Sequence, residues 1–298
     1  MDIQILANKF YDHSKYFRGY SPDTIKRYKQ SINTFCKFSK ITDISQVTEN
    51  NVRELFFYGR TERNWCPNTF RCFYKSLSVF FKWCLQNKYI AFNPIADMEV
   101  PKIEKRIPSK LTKQDATRLL EVIYNYPYEF KFLRCRNHAM FATFLFAGLR
   151  KKELIKLKLT DVDLENLSIF VNQGKGSKDR IIPMSYTLAQ SLKRYLDERK
   201  RLNKTCPELF CSLNRNMGFT DNGLKHLMTN IRKTFKVKFT IHKLRHTFAT
   251  LMLEGGCDIF SLSKMMGHDN IKTTTLYLAS SPEHLRNQMT KHPLNDLI

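Results

Sequence analysis

Acidic side chains are scarce in this chain. Over 298 residues, 27 Asp and Glu stand against 50 Lys and Arg, a formal net charge of +23. That is far beyond what solubility needs and points to a polyanionic partner, with nucleic acid first. Long apolar runs are also missing: no stretch reaches the roughly 18 residues that a membrane span requires. The opening "MDIQILANKF" lacks the charged-then-apolar pattern of a leader. A soluble, cytoplasmic protein without a membrane partner is therefore expected. Cysteine clusters are lacking too. The eight cysteines are scattered, and only Cys206 and Cys211 in "CPELFC" sit close together, with no second pair at zinc-site spacing. A disulfide framework and a structural metal are both disfavoured, and no metal site is expected. No GxxxxGK[ST] stretch is present, so no nucleotide cofactor is expected.

What is present divides into two regions. The first, residues 1–95, reads as helical. In "SPDTIKRYKQSINTFCKF", Ser21 is placed to cap and Pro22 to occupy the first helical position. Ile25, Tyr28, Ile32 and Phe35 follow at spacings of three and four. Further helices are predicted in "TENNVRELFFYG" and in "NTFRCFYKSLSVFFKWCLQNKYI", the latter burying Phe70, Phe73, Leu77, Phe80, Phe81 and Cys84. Aromatic residues at helical spacing are read as core rather than as platforms for stacked bases.

The stretch 96–110 holds Pro101 and Pro108 among charges with little periodicity, and is predicted to be a linker. From residue 111 to 298 a larger region is expected, mainly helical with one small sheet. Helices are predicted near 113–125, 136–147, 186–202, 221–235, 243–254, 259–266, 271–278 and 282–291. "LSIFVNQGKGSKDRIIPM" holds two β-prone runs around a Gly-rich turn and reads as a hairpin. Residues 1–100 carry 15 basic and 9 acidic side chains, so both regions are positive.

Four stretches of the second region hold residues able to do chemistry. "AGLRKKEL" places Arg150 just beyond a glycine, with Glu153 one turn later. "GKGSKDR" puts Lys175 at the hairpin tip. "HKLRHTFAT" supplies His242 and Arg245, three apart and on one helical face. "MMGHDNIKTTTLYL" gives His268 after a glycine and Tyr277 nine residues on. Two guanidiniums suit a phosphate whose charge grows during reaction, because each stays ionised and offers a bidentate fork. A phenol, with a pKa of ~10, needs cations and a proton acceptor before it can attack.

In order and spacing these stretches resemble the tyrosine recombinases, the integrase and Xer group of site-specific DNA recombinases. Each piece is weak by itself, whereas the five of them (the arginine of "GLR", the hairpin lysine, His-x-x-Arg, Gly-His and the tyrosine) in register, followed by "HPL" near the C-terminus, are highly specific. The resemblance implies a helical, SAM-like core-binding domain at 1–95 and an α+β catalytic domain at 111–298, together forming a C-shaped clamp on DNA. It implies that Tyr277 is the nucleophile, forming a 3′-phosphotyrosyl link, and that Arg150 and Arg245 hold the phosphate. His242 matches the position credited with proton transfer and phosphate contact, and Lys175 the position that protonates the leaving 5′ oxygen. His268 matches the position that bonds the phosphate or braces the tyrosine segment, and Glu153 an acid that orients its cationic neighbours. Neither metal nor cofactor is implied.

The implied partner is double-stranded DNA carrying specific recombination sites, worked on by a homotetramer across two sites. Segment 279–298 is expected to supply contacts between protomers. Lys178 remains a rival for Lys175. His246, adjacent to Arg245, is expected to be structural or to touch the DNA backbone, and so stands outside the catalytic set. His242 and His246 are four apart as on a zinc helix, but their cationic context opposes a divalent metal. Two other functions stay open: DNA relaxation like that of a type IB topoisomerase, and a catalytically inert DNA-binding protein. Integration or excision of a mobile element and Xer-type dimer resolution are both compatible with the motifs.

Overall fold

The computed structural model describes residues 1–103, 109–172, 179–268 and 270–278. The chain divides into two compact units, Met1–Lys105 and Arg106–Ile298. The first unit holds four long helices: α1 (Ile3–Asp12), α2 (Pro22–Ser39), α3 (Glu49–Thr61) and α4 (Pro67–Gln86). Their starts are set by side chains that accept from otherwise unpaired backbone N–H groups. Asp2 caps α1, Ser21 caps α2, and Thr48 caps α3, with Asn51 closing a reciprocal box. The apolar stripes meet in one core containing Leu6, Phe10, Ile32, Phe35, Leu55, Leu77, Phe80, Phe81 and Cys84. Phe73 lies at its edge, its ring stacked on Trp65 with centroids 4.1 Å apart. Helix α4 stops at Gln86 and a turn follows. Ile95 is buried in this core, and Met98 and Val100 pack against it.

The second unit is built around α6 (Lys131–Ala147), which packs against α5 (Lys113–Asn125), α8 (Tyr186–Arg201) and α10 (Ile241–Glu254). Helix α6 starts five residues before the predicted 136. Phe132, Cys135, Met140, Phe141, Phe144 and Leu145 are all buried, so it is covered on every side and shows no single apolar stripe to mark its bounds. A short helix α7 (Lys151–Lys156) leads to three antiparallel strands in the order β1 (Val162–Asp163), β2 (Ser168–Val171), β3 (Arg180–Pro183). The predicted hairpin is β2 and β3, paired from Ser168↔Pro183 to Val171↔Arg180; β1 is an additional edge. Residues 173–178, including Lys175 and Lys178, lie outside the described residues.

Helices α9 (Asp221–Phe235), α11 (Ile259–Met266) and α12 (Lys272–Thr275) complete the unit. Helix α12 is shorter than the predicted 271–278. Asn270 bonds the Lys272 N–H at 2.9 Å to start it, and the β-branched run Thr273, Thr274, Thr275 does little to prolong it. The helix predicted at 282–291 and the tail 279–298 lie outside the described residues. All eight cysteines are free thiols. Among the described residues, no helix is long and apolar enough to cross a membrane.

Candidate active site

The chain brings three guanidiniums to one helix end. Helix α6 stops at Gly148, whose φ is +60°, and a Cβ there would lie 2.2 Å from the Phe248 ring. Only glycine accommodates both the left-handed turn and that approach. The turn delivers Arg150 to the start of α7, where its backbone N–H and its Nη1 both donate to Glu153, each at 2.7 Å. Arg180, first residue of β3, forks onto the same carboxylate at 3.0 and 2.8 Å. Arg245, on the buried side of α10, donates to the Gly148 carbonyl at 2.5 Å.

At the C-terminus of α11, three successive carbonyls each accept from a different arginine. Arg180 Nε reaches Met265 O at 2.7 Å, Arg245 Nη2 reaches Met266 O at 2.5 Å, and Arg150 Nη2 reaches Gly267 O at 2.6 Å. A helix C-terminus exposes unpaired carbonyls and carries partial negative charge, which gives this cluster its seat. Gly267 holds φ +61°, and a Cβ on it would press on the Arg180 side chain at 3.0 Å. Burial would raise the Glu153 carboxyl, but Arg180 and Arg150 outweigh it and hold it down at about 2. Glu153 therefore stays ionised. It is the carboxylate shown pairing with these arginines among the described residues, so three positive charges face one negative. Arg150 is the most open of the three, its side chain 23% exposed against 8% for Arg180.

His268 follows Gly267 directly. Its Nε2 lies 3.2 Å from Arg245 Nη2 and its Nδ1 2.8 Å from Thr274 Oγ1. Because a guanidinium only donates, Nε2 accepts and the proton sits on Nδ1. Burial and the neighbouring Arg245, Arg150 and Arg180 push this imidazole down to about 4, so it is neutral at ordinary pH. Burial, with Arg150 beside it, also lowers Arg245 to about 10, which leaves it charged.

Tyr277 lies two residues beyond α12 and is buried with Phe248, Leu262 and Met266. Its ring stacks on His268 with centroids 6.3 Å apart and an interplanar angle of 11°. Its hydroxyl lies 2.9 Å from His246 Nδ1. Burial raises the phenol above its ordinary pKa, while Arg245 and Arg150 pull it back. A phenol, three cations and two neutral imidazoles are thus gathered within one site. Such a set can hold an anion and turn a hydroxyl on it.

Five residues singled out from the sequence come together here: Arg150, Glu153, Arg245, His268 and Tyr277. His242, second residue of α10, is exposed at the helix start. Two residues were missed. Arg180 directly follows "GKGSKD", where only its place at the first pair of the hairpin signals an inward side chain. His246, expected to be structural or to touch the DNA backbone, bonds the phenol. Its spacing of four from His242, on one helical face, is the signal the sequence offers for it.

The comparisons agree with this architecture. The model of the phage integrase family matches residues 109–284, and that of the phage integrase N-terminal SAM-like domain matches 6–91. Tyrosine recombinase XerC of Thermodesulfovibrio yellowstonii is 31% identical over 99% of this chain and 98% of its own length. That of Bacillus licheniformis is 32% identical over 98% and 97%. Among solved structures, the XerA recombinase is 27% identical, covers 97% of this chain and 98% of its own, and has a TM-score of 0.54. The Tn1549 transposon integrase in complex with transposon right end DNA shares the fold with a TM-score of 0.75 at 21% identity, over 98% and 99% of the two chains. The chain belongs to the phage integrase family of tyrosine recombinases, enzymes that cleave and rejoin DNA strands.

Proposed function

We propose that this site-specific recombinase breaks DNA with Tyr277, leaving a 3′-phosphotyrosyl link and a free 5′ hydroxyl that attacks the partner strand's link. The observation that carries the reading is the meeting of a buried tyrosine with three guanidiniums that face a single carboxylate. Uncompensated buried cations are costly, and a phosphodiester drawn into the cluster relieves that cost. Arg150 and Arg245 meet the non-bridging oxygens, while Arg180 and Glu153 set the position of Arg150. His242, at the open start of α10, contacts the phosphate. Lys175, outside the described residues, protonates the 5′ oxygen. His268 braces the tyrosine segment through its stack on Tyr277 and its bond to Thr274. Bond energy is kept in the protein–DNA ester, so the cycle needs no ATP and no metal.

In this reading residues 111–298 carry the chemistry, residues 1–95 add DNA contacts, and 96–110 join them. Four protomers act on two sites in cytoplasmic DNA, and the tail 279–298 reaches between them. Near full-length likeness to XerC proteins favours a simple-site enzyme of the Xer type.

Tyr277→Phe decides the nucleophile. The variant is expected to fold and bind DNA yet leave no protein-linked strand after denaturation; a persistent adduct removes Tyr277 from the mechanism. Lys175→Ala should slow cleavage by about 10² to 10⁴ and recover when the bridging 5′ oxygen is replaced by sulfur, which departs unaided. Recovery of Lys178→Ala in its place reassigns the acid.

A further inference from the structure

A buried phenol does not attack phosphorus until something takes its proton. Arg150 and Arg245 lie near Tyr277 and ease its ionisation, but a guanidinium has no lone pair with which to accept. Two imidazoles are close. His268 presents its ring face to the phenol, and both of its nitrogens are engaged, one by Arg245 and the other by Thr274. His246 presents an edge, its Nδ1 2.9 Å from the phenol oxygen, within the reach required of a general base.

Helix α10 sets this division of labour. Arg245 and His246 are consecutive, so the helix turns them to different neighbours: the guanidinium to the carbonyls of Gly148 and Met266, and the imidazole to Tyr277. The groups facing His246 are His242 and Arg245 on its own helix and Tyr277 beyond α12, with His268 and Arg150 further into the cluster. Burial, His242 and Arg245 all lower the pKa of His246, so the ring is neutral and able to accept at ordinary pH.

We propose that His246 is the proton acceptor for Tyr277, an inference that rests on Tyr277 being the nucleophile. As the phenol oxygen bonds to phosphorus, its O–H bond breaks and the proton moves to His246 Nδ1. The bond from phosphorus to the 5′ oxygen breaks, and that oxygen takes a proton from a separate acid. In rejoining, the 5′ hydroxyl attacks phosphorus and gives its proton back to the conjugate base of that separate acid, while the bond from phosphorus to the Tyr277 oxygen breaks and the imidazolium returns its proton to the departing phenolate. A buried imidazolium beside Arg245 is disfavoured, so the proton is held only loosely. That suits a reaction run in both directions from one site. His242, exposed one turn earlier, is left to the phosphate.

The test uses the full-length protein on a nicked duplex carrying the site that the parent selects from a randomised pool; the nick traps the covalent adduct. His246→Asn can keep a hydrogen bond near the Nδ1 position but accepts no proton. Adduct formation is expected to slow by about 10² to 10⁴, with DNA affinity and melting temperature unchanged. The parent rate should rise with pH and level off once His246 is neutral, whereas the variant should keep rising about tenfold per pH unit toward the tyrosine pKa. Sulfur at the bridging 5′ position should not restore His246→Asn, and added imidazole should restore His246→Ala. A His246→Asn rate within about threefold of the parent overturns the assignment, as does rescue by sulfur, which marks an acid for the leaving group. An adduct in Tyr277→Phe defeats the nucleophile reading itself. Loss of the adduct in Tyr277→Phe beside a parent-like rate in His246→Asn defeats only the role of His246.

Discussion

The two units fill their interiors differently. In the first, the buried polar side chains among the described residues are three serines, Ser14, Ser31 and Ser76. Two of them lie within long helices, and Ser76 returns its hydroxyl to the Cys72 carbonyl of its own helix. In the second, Arg136, Glu153, Glu198, Arg199 and Arg245 are all buried. Buried charge survives only when paired and hydrogen-bonded, so its presence marks either a structural clasp or a working site. Both occur here. Arg199 donates to the carbonyls of Cys206, Glu208 and Leu209, and Arg136 to Asn137 Oδ1 and Cys211 O while lying over the Phe219 ring. These are neutral partners that close a loop onto α6 and α8. The arginines around Glu153 differ in sharing one carboxylate and one helix end, which leaves an excess of charge beside a tyrosine. The first unit is a scaffold held by apolar area; the second spends part of its core on a place for an anion.

The contrast can be broken from its charged side first. Arg245→Ala removes one donor aimed at developing charge, and cleavage should fall by about 10² to 10³ with DNA binding largely kept, checked by single-turnover adduct formation. Glu153→Gln should come next. It leaves Arg150 and Arg180 without their counter-charge and should cost about 3 to 5 kcal/mol in urea unfolding. The sign with pH follows from the depressed carboxyl. Its contribution is fully present above 4.5 and is lost as pH falls toward about 2, so the acid limb of the stability profile should be shallower in the variant. In the apolar unit, Leu77→Ala should cost about 2 to 5 kcal/mol through the cavity it leaves, with little pH dependence. Ser76→Ala should be the smallest, within about 1 kcal/mol, because the hydroxyl and its carbonyl partner lie inside a helix that stands without them. A large loss in Ser76→Ala, or none in Glu153→Gln, would erase the distinction between the units.

Local sequence determined most of the helices. Capping residues and three-and-four spacing mark the start of α2 at Pro22 and of α9 at Asp221, where a single face is buried. It was silent where burial surrounds an element, as at the start of α6, and where β-branched residues cut one short, as at α12. The order of Arg150, Arg245, His268 and Tyr277 was likewise readable, because their spacing along the chain resembles that of the tyrosine recombinases. Which partners they find was not readable. Arg180 reaches Glu153 across 27 positions, and Arg150 reaches the Gly267 carbonyl across 117. Such bonds depend on the end of α11 being packed against the turn at Gly148, and spacing along a chain carries no record of that packing. His246 is the sharpest instance. Along the sequence it is one more basic residue type beside Arg245; only the packing of Tyr277 against α10, 31 positions away, turns it toward the phenol.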